Sequence, residues 1–389
     1  MTAGIRWMSI VPGSGYGNAA EDYLSGLRAA GIPVSWTPLG WPSATWNHSY
    51  GPLADPDLNG FTHRDIANLD AGHDTVVVHS IPIWHDRLVA ESASRRLVAF
   101  TTWETDRLPD ESVAILNRHD RVLVPSRFNA AVFESSGVTA PISVVPHIAK
   151  HVENDTARHR PRRDDEKFVF YLIATWTTRK AILDSVEAFL MAFTDNDNVV
   201  LSIHTTPEDF VARAQLRSHG EQPKAPHQDA SWFTLAQALA GRTKVPEIVL
   251  SARHLNPDEM NAFHAQGDCF ISLSRGEGWG LGAFEAAAFG NPVIVTGWGA
   301  TIEFLPRDYR YCVDYDLVPT VSDRADEWFQ PRPGEHWAKA RISHAATILR
   351  YIFEHRREAY SQGQALQSHV MAKFNRAQVT RCLLEALAP

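Results

Sequence analysis

Two glutamates eight positions apart in a glycine-rich stretch are the first residues whose types and spacing could do chemistry. The segment SLSRGEGWGLGAFEAAAFGNPVIV begins at Ser272 and carries Glu277 and Glu285. Its pattern predicts a strand that ends near Leu273 and a helix over about 283–289, with Glu285 in the first helical turn. Glycines allow backbone to approach a ligand, and a helix N-terminus attracts a diphosphate. Carboxylates accept hydrogen bonds from neighbouring hydroxyls, which suits sugar and ribose rings.

Two adjacent cations, Arg179 and Lys180, follow a second apolar run that predicts a buried strand over 168–175. A helix is predicted over 181–193, directly after the cations. Because the helix dipole disfavours positive charge at this end unless an anion is bound, the pair indicates a diphosphate site. Two cations there would neutralise a diphosphate leaving group. The alternative is a solvated basic pair at an ordinary helix start.

Two weaker candidates lie in the first half of the chain. A glycine loop that includes Gly15 and Gly17 follows the first predicted strand, and Glu104 lies in the stretch TTWETDRLP at the end of another strand. The loop lacks the G-x-G-x-x-G spacing of dinucleotide sites, and an ordinary tight turn explains it equally well. Glu104 is a carboxylate at its own strand end that could act on a ligand. It could equally pair with Arg107 or cap a turn.

These candidates must be positioned by two sets of alternating strands and helices. Continuous apolar strands indicate sheets that are covered on both faces, and the order strand, loop, helix, strand is typical of a doubly wound α/β domain. The polar stretch 151–167 separates the two sets and predicts a linker or hinge. We therefore expect an N-terminal domain over 1–150, a C-terminal domain over 168–365, and a final helical segment over 366–389 that could cross back to the first domain. Two such domains would face each other across a cleft, which is the default ligand site.

The segment that contains Glu277 and Glu285 resembles the glutamate–seven residues–glutamate motif of retaining GT-B glycosyltransferases of family GT4. The Trp176–Lys180 stretch resembles a diphosphate-binding element found in a subgroup of that family. In much of the family the arginine lies about five positions before the lysine, at the position where this chain has Thr175. The resemblance covers nearly the whole chain, and it is specific in the second half and diffuse in the first.

The resemblance implies a hexosyltransferase-type enzyme that moves a sugar from a nucleoside-diphosphate sugar, UDP- or GDP-linked, with retention and without a metal or other cofactor. It implies that Glu277 holds the sugar hydroxyls and Glu285 the ribose. Glu104 takes the place of a family histidine near the reacting carbon, and Glu104, Arg179, Lys180 and Glu277 are the implied catalytic residues. The implied donor-binding residues are Gly15, Gly17, Arg179, Lys180, Glu277, Gly278, Trp279, Gly280, Leu281, Gly282 and Glu285.

Composition excludes several other classes of protein. The 389 residues carry a formal net charge of −8, so a basic nucleic-acid-binding face is not expected. No apolar window is long enough for a transmembrane helix, and the sequence leaves peripheral membrane contact as an alternative. Three cysteines without metal-ligand spacing favour a reducing cytoplasm. The D-x-D triplet 314–316 follows a strand beyond the main motif, and we expect no metal there. Trp41, Trp46 and Trp84 could stack on a sugar, but core burial is the expectation.

The sequence leaves other functions open. A sugar-nucleotide epimerase or a phosphorylase could use the same fold, as could a protein that binds nucleotide sugars without turnover. A dinucleotide-dependent oxidoreductase is disfavoured by the glycine spacing and by the lack of an acidic residue after the second strand. Neither the donor base, the sugar nor the acceptor, whether polysaccharide, lipid-linked saccharide or small molecule, follows from the sequence.

Overall fold

A computed structural model describes residues 4–10, 14–39, 73–86, 95–149, 165–207, 230–321 and 332–388. The chain forms two compact units. Unit 1 comprises Met1–Trp103, Arg107–Lys150 and Lys373–Pro389, and unit 2 comprises Glu104–Asp106 and His151–Ala372. The last helical residues of the chain and the short stretch at 104–106 therefore group with the unit distant from them in sequence.

Unit 1 contains a parallel sheet of six strands in its described part, in the order β2-β1-β3-β4-β5-β6. Its buried side chains are large and apolar, among them Trp7, Trp36 and Phe100. Gly26 of the first helix allows Thr380 of the last helix to approach closely, so the end of the chain packs on its beginning. The elements are β1 (Gly4–Ile10), α1 (Gly15–Ala29), β2 (Val34–Leu39), β3 (His73–His79), β4 (Arg96–Phe100), α2 (Asp110–Leu116), β5 (Arg121–Val124), α3 (Arg127–Ser135), β6 (Ile142–Val144) and, at the C-terminus, α10 (Arg376–Leu387).

Unit 2 contains a second parallel sheet of six strands in its described part, in the order β12-β11-β10-β7-β8-β9. Helix α8 (Ile342–Glu354) packs beside α4 (Ile182–Ala192) over a core that includes Phe170, Phe189 and Leu349. The elements are β7 (Phe168–Ile173), α4 (Ile182–Ala192), β8 (Val199–Thr205), α5 (Ala230–Leu239), β9 (Glu247–Ala252), α6 (Pro257–Gln266), β10 (Cys269–Ser272), α7 (Leu281–Phe289), β11 (Val293–Thr296), β12 (Cys312–Val313), β13 (Tyr315–Pro319), β14 (His336–Ala340), α8 (Ile342–Glu354) and α9 (Arg356–Lys373).

The strand order gives each sheet a point at which the chain reverses direction across the sheet. In unit 1 this switch point lies between β1 and β3, and in unit 2 it lies between β7 and β10. Ligands of open α/β sheets bind beyond the carboxyl ends of the strands at such a point. The predicted α/β class with two Rossmann-like, doubly wound domains is confirmed. The sequence also predicts a strand over 311–314, of which only Cys312–Val313 is a strand, and it does not predict the antiparallel hairpin β13–β14.

Two helices begin earlier than predicted, because the local capping differs from the expected turns. The apolar spacing of the sequence predicts a helix over 18–30, but helix α1 starts at Gly15, since the Ser14 hydroxyl accepts a hydrogen bond from the Gly17 N–H (3.1 Å) and caps the helix. Gly15 and Gly17 thus lie in a helical turn and not in a loop. Helix α7 starts at Leu281, directly after a residue with left-handed backbone, which moves the helix start two residues towards the glycine loop.

Candidate functional site

The candidate site in unit 2 is built on the two strands that flank its switch point. The loop after β7 carries Arg179 and Lys180, and the loop after β10 carries Glu277. Neighbouring parallel strands end at the same edge of a sheet, so residues about 97 positions apart in sequence meet in space. Three of the four strongest sequence candidates are therefore brought together where this fold class binds its ligands.

Four charged side chains form one cluster at this edge. The Lys180 Nζ donates to Glu277 Oε1 at 2.6 Å, and the Arg179 Nη1 lies 3.5 Å from Glu277 Oε2. The Arg179 Nη2 lies 3.4 Å from Glu104 Oε1, so one guanidinium bridges two carboxylates. Glu277 is 11% exposed and the other three side chains are about a quarter exposed. The cluster, which we call the four-charge cluster, is formally neutral and only partly accessible to solvent.

Backbone hydrogen bonds join the loops that carry these charges. The Arg179 Nη1 donates to the carbonyl of Gly276 (2.7 Å), and the Arg275 N–H donates to the carbonyl of Arg179 (2.8 Å). The Ser274 hydroxyl lies within hydrogen-bond distance of two carbonyl oxygens, those of Arg179 (3.3 Å) and Gly276 (3.2 Å). A Cβ at position 276 would collide with the Glu104 carbonyl, so only glycine fits this close approach. Glu104 is held against the glycine loop as well as against Arg179.

The protonation of the cluster follows from burial and from the charges around it. Burial raises the pKa of Glu277, but the charges of Lys180 and Arg179 and the hydrogen bonds from Lys180 and Ser274 reverse this and hold it below its usual value. Burial, together with the charge of Arg179, lowers the pKa of Lys180 against the opposing effect of Glu277. Glu277 is consequently a carboxylate at neutral pH, and cations and carboxylates of the cluster can exchange partners with an anionic, hydroxyl-bearing ligand.

The glycine loop ends in a helix N-terminus. Gly280 adopts left-handed backbone (φ +87°), a conformation that glycine reaches without strain, and no side chain in the described part of the chain caps α7. The first N–H groups of α7, at Leu281 and Gly282, are therefore placed as donors for an anion. Trp279 is buried against Phe284 (5.3 Å between ring centroids), so its side chain is part of the core.

Glu285 is the fifth residue of α7 and lies in the second turn, whereas the sequence placed it in the first. The earlier start of the helix accounts for the difference. Its side chain is 22% exposed, and its Oε2 lies 3.7 Å from Nε2 of His264, which is fully buried. The carboxylate is thus at the surface of α7 with a buried histidine behind it.

The remaining sequence candidates lie elsewhere. Gly15 and Gly17 belong to unit 1, at the start of α1, and their donor-binding role stays a prediction. Trp84 is buried, as expected, while Trp41, Trp46 and most of the predicted hinge lie outside the described residues. His79 and His85 are also buried in unit 1.

The aspartates of the D-x-D triplet make polar contacts at the surface. Asp314 lies 3.3 Å from Nδ1 of His344, and Asp316 accepts two hydrogen bonds from Arg341. Within the described ranges, no three His, Cys, Asp or Glu side chains are grouped as a metal site would require. None of the helices in the described part of the chain is long and apolar enough to cross a bilayer.

Two groups of residues around the site were not found from the sequence. Glu335 and His336, at the start of β14, hold the segment that carries Glu104: the Thr105 hydroxyl donates to Glu335 Oε1 (2.5 Å) and the His336 N–H donates to Asp106 Oδ1 (2.7 Å). The second group is His264 and its partners behind Glu285. The contacts of Glu335 and His336 join residues 230 positions apart in the chain. The contacts of Tyr171 with His264 and with Asn291 join residues 93 and 120 positions apart. No local sequence pattern could therefore have indicated either group.

Comparisons with known proteins place this fold among glycosyltransferase structures. No protein-family model matches the chain, and no curated protein sequence matches it significantly. Sucrose-phosphate synthase from Thermosynechococcus elongatus superposes with a TM-score of 0.67 at 14% identity, over 98% of each chain. HepE from Anabaena, in complex with UDP and glucose, gives a TM-score of 0.61 at 12% identity over 99% of each chain. Trehalose-6-phosphate from E. coli bound with UDP-2-fluoro glucose gives 0.63 at 12% identity over the full length of both.

Identities this low establish a shared fold. The expected GT-B class, with its two doubly wound α/β domains, is therefore confirmed. The family and the chemistry of this chain depend on its own residues.

Proposed function

We propose that this protein is a retaining GT4-type glycosyltransferase that moves a hexose from a UDP- or GDP-sugar to a hydroxyl of a saccharide or another acceptor, without a metal. The single observation that carries the proposal is the four-charge cluster at the switch point of unit 2, where Lys180 and Arg179 lie against Glu277. Two cations matched by two carboxylates suit a ligand that has both a diphosphate and vicinal hydroxyls.

In the proposed reaction, an acceptor oxygen forms a bond to the anomeric carbon while the bond from that carbon to the diphosphate oxygen breaks. The acceptor proton passes to the leaving diphosphate. Lys180, Arg179 and the first N–H groups of α7 stabilise the charge that grows on the diphosphate. Glu277 accepts hydrogen bonds from the sugar hydroxyls, Glu285 from the ribose, and Glu104 supports positive charge at the anomeric carbon. Because Glu277 already pairs with Lys180, donor binding exchanges this ion pair for a contact between Lys180 and the diphosphate.

The structures that share the fold support the nature of the donor. One neighbour was determined with UDP and glucose and another with UDP-2-fluoro glucose. A polysaccharide, a lipid-linked saccharide or a small molecule is the proposed acceptor, and the cytoplasm is the proposed location.

The first test is thermal stabilisation of the purified protein by UDP, GDP and their sugars without added metal. A nucleotide at one hundred times its Kd adds about 2.7 kcal/mol to the free energy of unfolding. We expect stabilisation by one base, abolished in Glu285→Ala. A folded protein that no nucleoside diphosphate stabilises would contradict the proposal.

Turnover distinguishes an enzyme from a binding protein. We expect Lys180→Ala to lower kcat by about two to three orders of magnitude, the usual cost of one lost donor to a charged transition state. Lys167→Ala is the matched control, because Lys167 forms a surface ion pair with Glu247. Donor binding without release of nucleoside diphosphate, across a panel of acceptors, would favour the non-catalytic alternative. Donor conversion without any acceptor would favour an epimerase.

A further inference from the structure

A line of polar side chains runs inward from Glu285 into the core of unit 2. Glu285 Oε2 lies 3.7 Å from His264 Nε2, His264 Nδ1 lies 3.0 Å from the Tyr171 hydroxyl, and the Asn291 Nδ2 lies 2.7 Å from that hydroxyl. His264 is 1% exposed, and Tyr171 and Asn291 are fully buried. We call these three buried residues the inner relay. The sequence motif around Glu285 does not account for the burial of these three polar side chains.

The hydrogen-bond directions in the inner relay follow from one backbone carbonyl. The second contact of Asn291 Nδ2 is the carbonyl of His264 (2.8 Å), which only accepts, so this side-chain atom must be the amide nitrogen. Asn291 therefore donates to the Tyr171 oxygen as well. The single Tyr171 proton is then left for His264 Nδ1, which must accept it. A neutral imidazole that accepts at Nδ1 carries its proton at Nε2, and that N–H faces Glu285.

Packing fixes the ring in this orientation. The His264 ring stacks on Phe289 (5.1 Å, 22° between planes) and lies nearly parallel to Phe270, while Tyr171 meets it edge-on at 81°. Burial raises the pKa of Tyr171 well above its usual value, so the hydroxyl keeps the proton that it donates. Rotation of the imidazole would break the contact with Tyr171 and the stacking on Phe289.

The buried Nε2–H lacks an acceptor at hydrogen-bond distance among the described residues, and Glu285 Oε2 is 3.7 Å away. Hydrogen bonds of this type form at about 2.9 Å, so a shift of under about 1 Å in the partly exposed carboxylate completes the contact. A buried N–H without an acceptor is unfavourable, so completing this hydrogen bond favours the shift.

We propose that His264 is a positioning residue for Glu285, set by Tyr171 and Asn291 to donate from Nε2 and to fix the carboxylate for the two hydroxyls of a nucleotide ribose. The inference rests on the proposed function, in which Glu285 holds the ribose. It adds a specificity: the inner relay selects ribonucleotides over 2′-deoxyribonucleotides, because a carboxylate held in one plane loses one of its two hydroxyl partners when the 2′-hydroxyl is absent.

The test compares the affinities of UDP and 2′-deoxy-UDP, or of GDP and 2′-deoxy-GDP if guanine is the base, by calorimetry. We expect the wild type to prefer the ribonucleotide by about tenfold or more, equivalent to about 1.4 kcal/mol. His264→Phe keeps the ring between its aromatic neighbours but removes the N–H, and it should reduce this preference to about twofold while the affinity for the deoxynucleotide stays within about twofold. His344→Gln is the matched control, because His344 faces Asp314 in an exposed pair, and it should keep the wild-type preference.

A second variant separates positioning from packing. Tyr171→Phe removes only the hydroxyl that sets the His264 tautomer, and we expect the ¹⁵N shifts of the His264 ring to move from the Nε2–H form towards the Nδ1–H form. The ribonucleotide preference should fall in parallel. A merely structural role would lower the melting temperature and change neither the tautomer nor the preference.

The outcomes separate this inference from the proposed function. One outcome is that the wild type binds nucleotides, Glu285→Ala lowers their affinity, and His264→Phe keeps the full preference for the ribonucleotide. The positioning role is then wrong and the proposed function stands. If His264→Phe lowers the affinity for the ribonucleotide and for the 2′-deoxyribonucleotide equally, the positioning role is also wrong. If the folded wild type binds no nucleoside diphosphate, the proposed function and the positioning role are both overturned.

Discussion

The two units differ in the polar groups that they enclose. Unit 1 buries a group of histidines with lowered pKa values, while unit 2 holds partly exposed carboxylates against cations in the four-charge cluster. Burial lowers the pKa of His119 to about 4 and of His147 to about 3. Burial and neighbouring histidines also hold the pKa values of His79 and His85 well below the usual range. Among the described histidines of unit 2, only His204 shows a comparable shift, to about 4.

The difference indicates what each unit is built to do. A neutral imidazole packs in an apolar core at modest cost, and His79 stacks on Phe100 with 4.5 Å between the ring centroids. Buried ion pairs add little to stability compared with apolar side chains of the same volume. Charges that are retained in a partly closed site therefore point to a ligand. Unit 2 carries the candidate chemistry, and unit 1 carries a core that depends on uncharged histidines.

The largest expected effect is acid destabilisation of unit 1. A histidine whose folded pKa lies below the unfolded value of about 6.5 is protonated more readily in the unfolded chain. Its contribution to stability is complete above that pH and falls by about 1.4 kcal/mol per pH unit between about 6.5 and the folded pKa. The described part of unit 1 contains four such histidines and the described part of unit 2 contains one, so unit 1 loses more stability as the pH falls. Hydrogen exchange, corrected for the intrinsic rate, should show β3 and β4 losing protection before β7 and β10 as the pH falls from about 7 to about 4.5.

The variant His119→Gln sharpens this test, because glutamine cannot take up a proton. The slope of the free energy of unfolding of unit 1 against pH should become shallower by about 1.4 kcal/mol per pH unit over the same window. An unchanged slope, or earlier loss of protection in unit 2, would break the contrast between the units.

The second effect concerns the four-charge cluster. Glu277→Gln removes the carboxylate that faces both Lys180 and Arg179, so Lys180 loses its charged partner and Arg179 keeps only Glu104. We expect a loss of about 3 kcal/mol in the free energy of unfolding, as for other broken buried pairs. Inorganic pyrophosphate should bind about tenfold more tightly than to the wild type and restore part of the stability. Calorimetry checks both. Equal pyrophosphate affinity in the two proteins would show that the cations do not face the anion site.

The smallest effect concerns backbone strain beside Lys180. Ala181 has left-handed backbone (φ 48°), which costs a non-glycine residue about 1–2 kcal/mol. Ala181→Gly should therefore stabilise unit 2 by about 0.5–1 kcal/mol, after the entropy that glycine adds to the unfolded chain. Lys244→Gly relieves the same conformation (φ 59°) at an exposed position and is the matched control. Urea denaturation should show similar gains for both, and only Ala181→Gly should change kcat. Loss of activity in both variants would remove the link between this strain and Lys180.

Much of the architecture followed from local patterns. Apolar runs such as Phe168–Ile173 and Cys269–Ser272 predicted buried strands, because a strand covered on both faces needs apolar side chains throughout. The helix starts at Gly15 and Leu281 were missed by two or three residues, since a capping hydroxyl and a left-handed glycine decide them. The hairpin β13–β14 was missed because its strands are short and half-exposed.

The sequence by itself determined which side chains could do chemistry: Glu277, Glu285, Arg179 and Lys180 are visible from residue type and spacing alone. Only the tertiary structure decided which of them meet, and what supports them. Strand order brought Lys180 to Glu277, and the Gly276 loop brought Glu104 to Arg179. The inner relay behind Glu285 depends on strand β7, helix α6 and the turn at Asn291 packing together. The physical reason is that residue spacing encodes local geometry, while contacts between distant segments are set by how the strands are ordered in the sheet and how the helices pack on it.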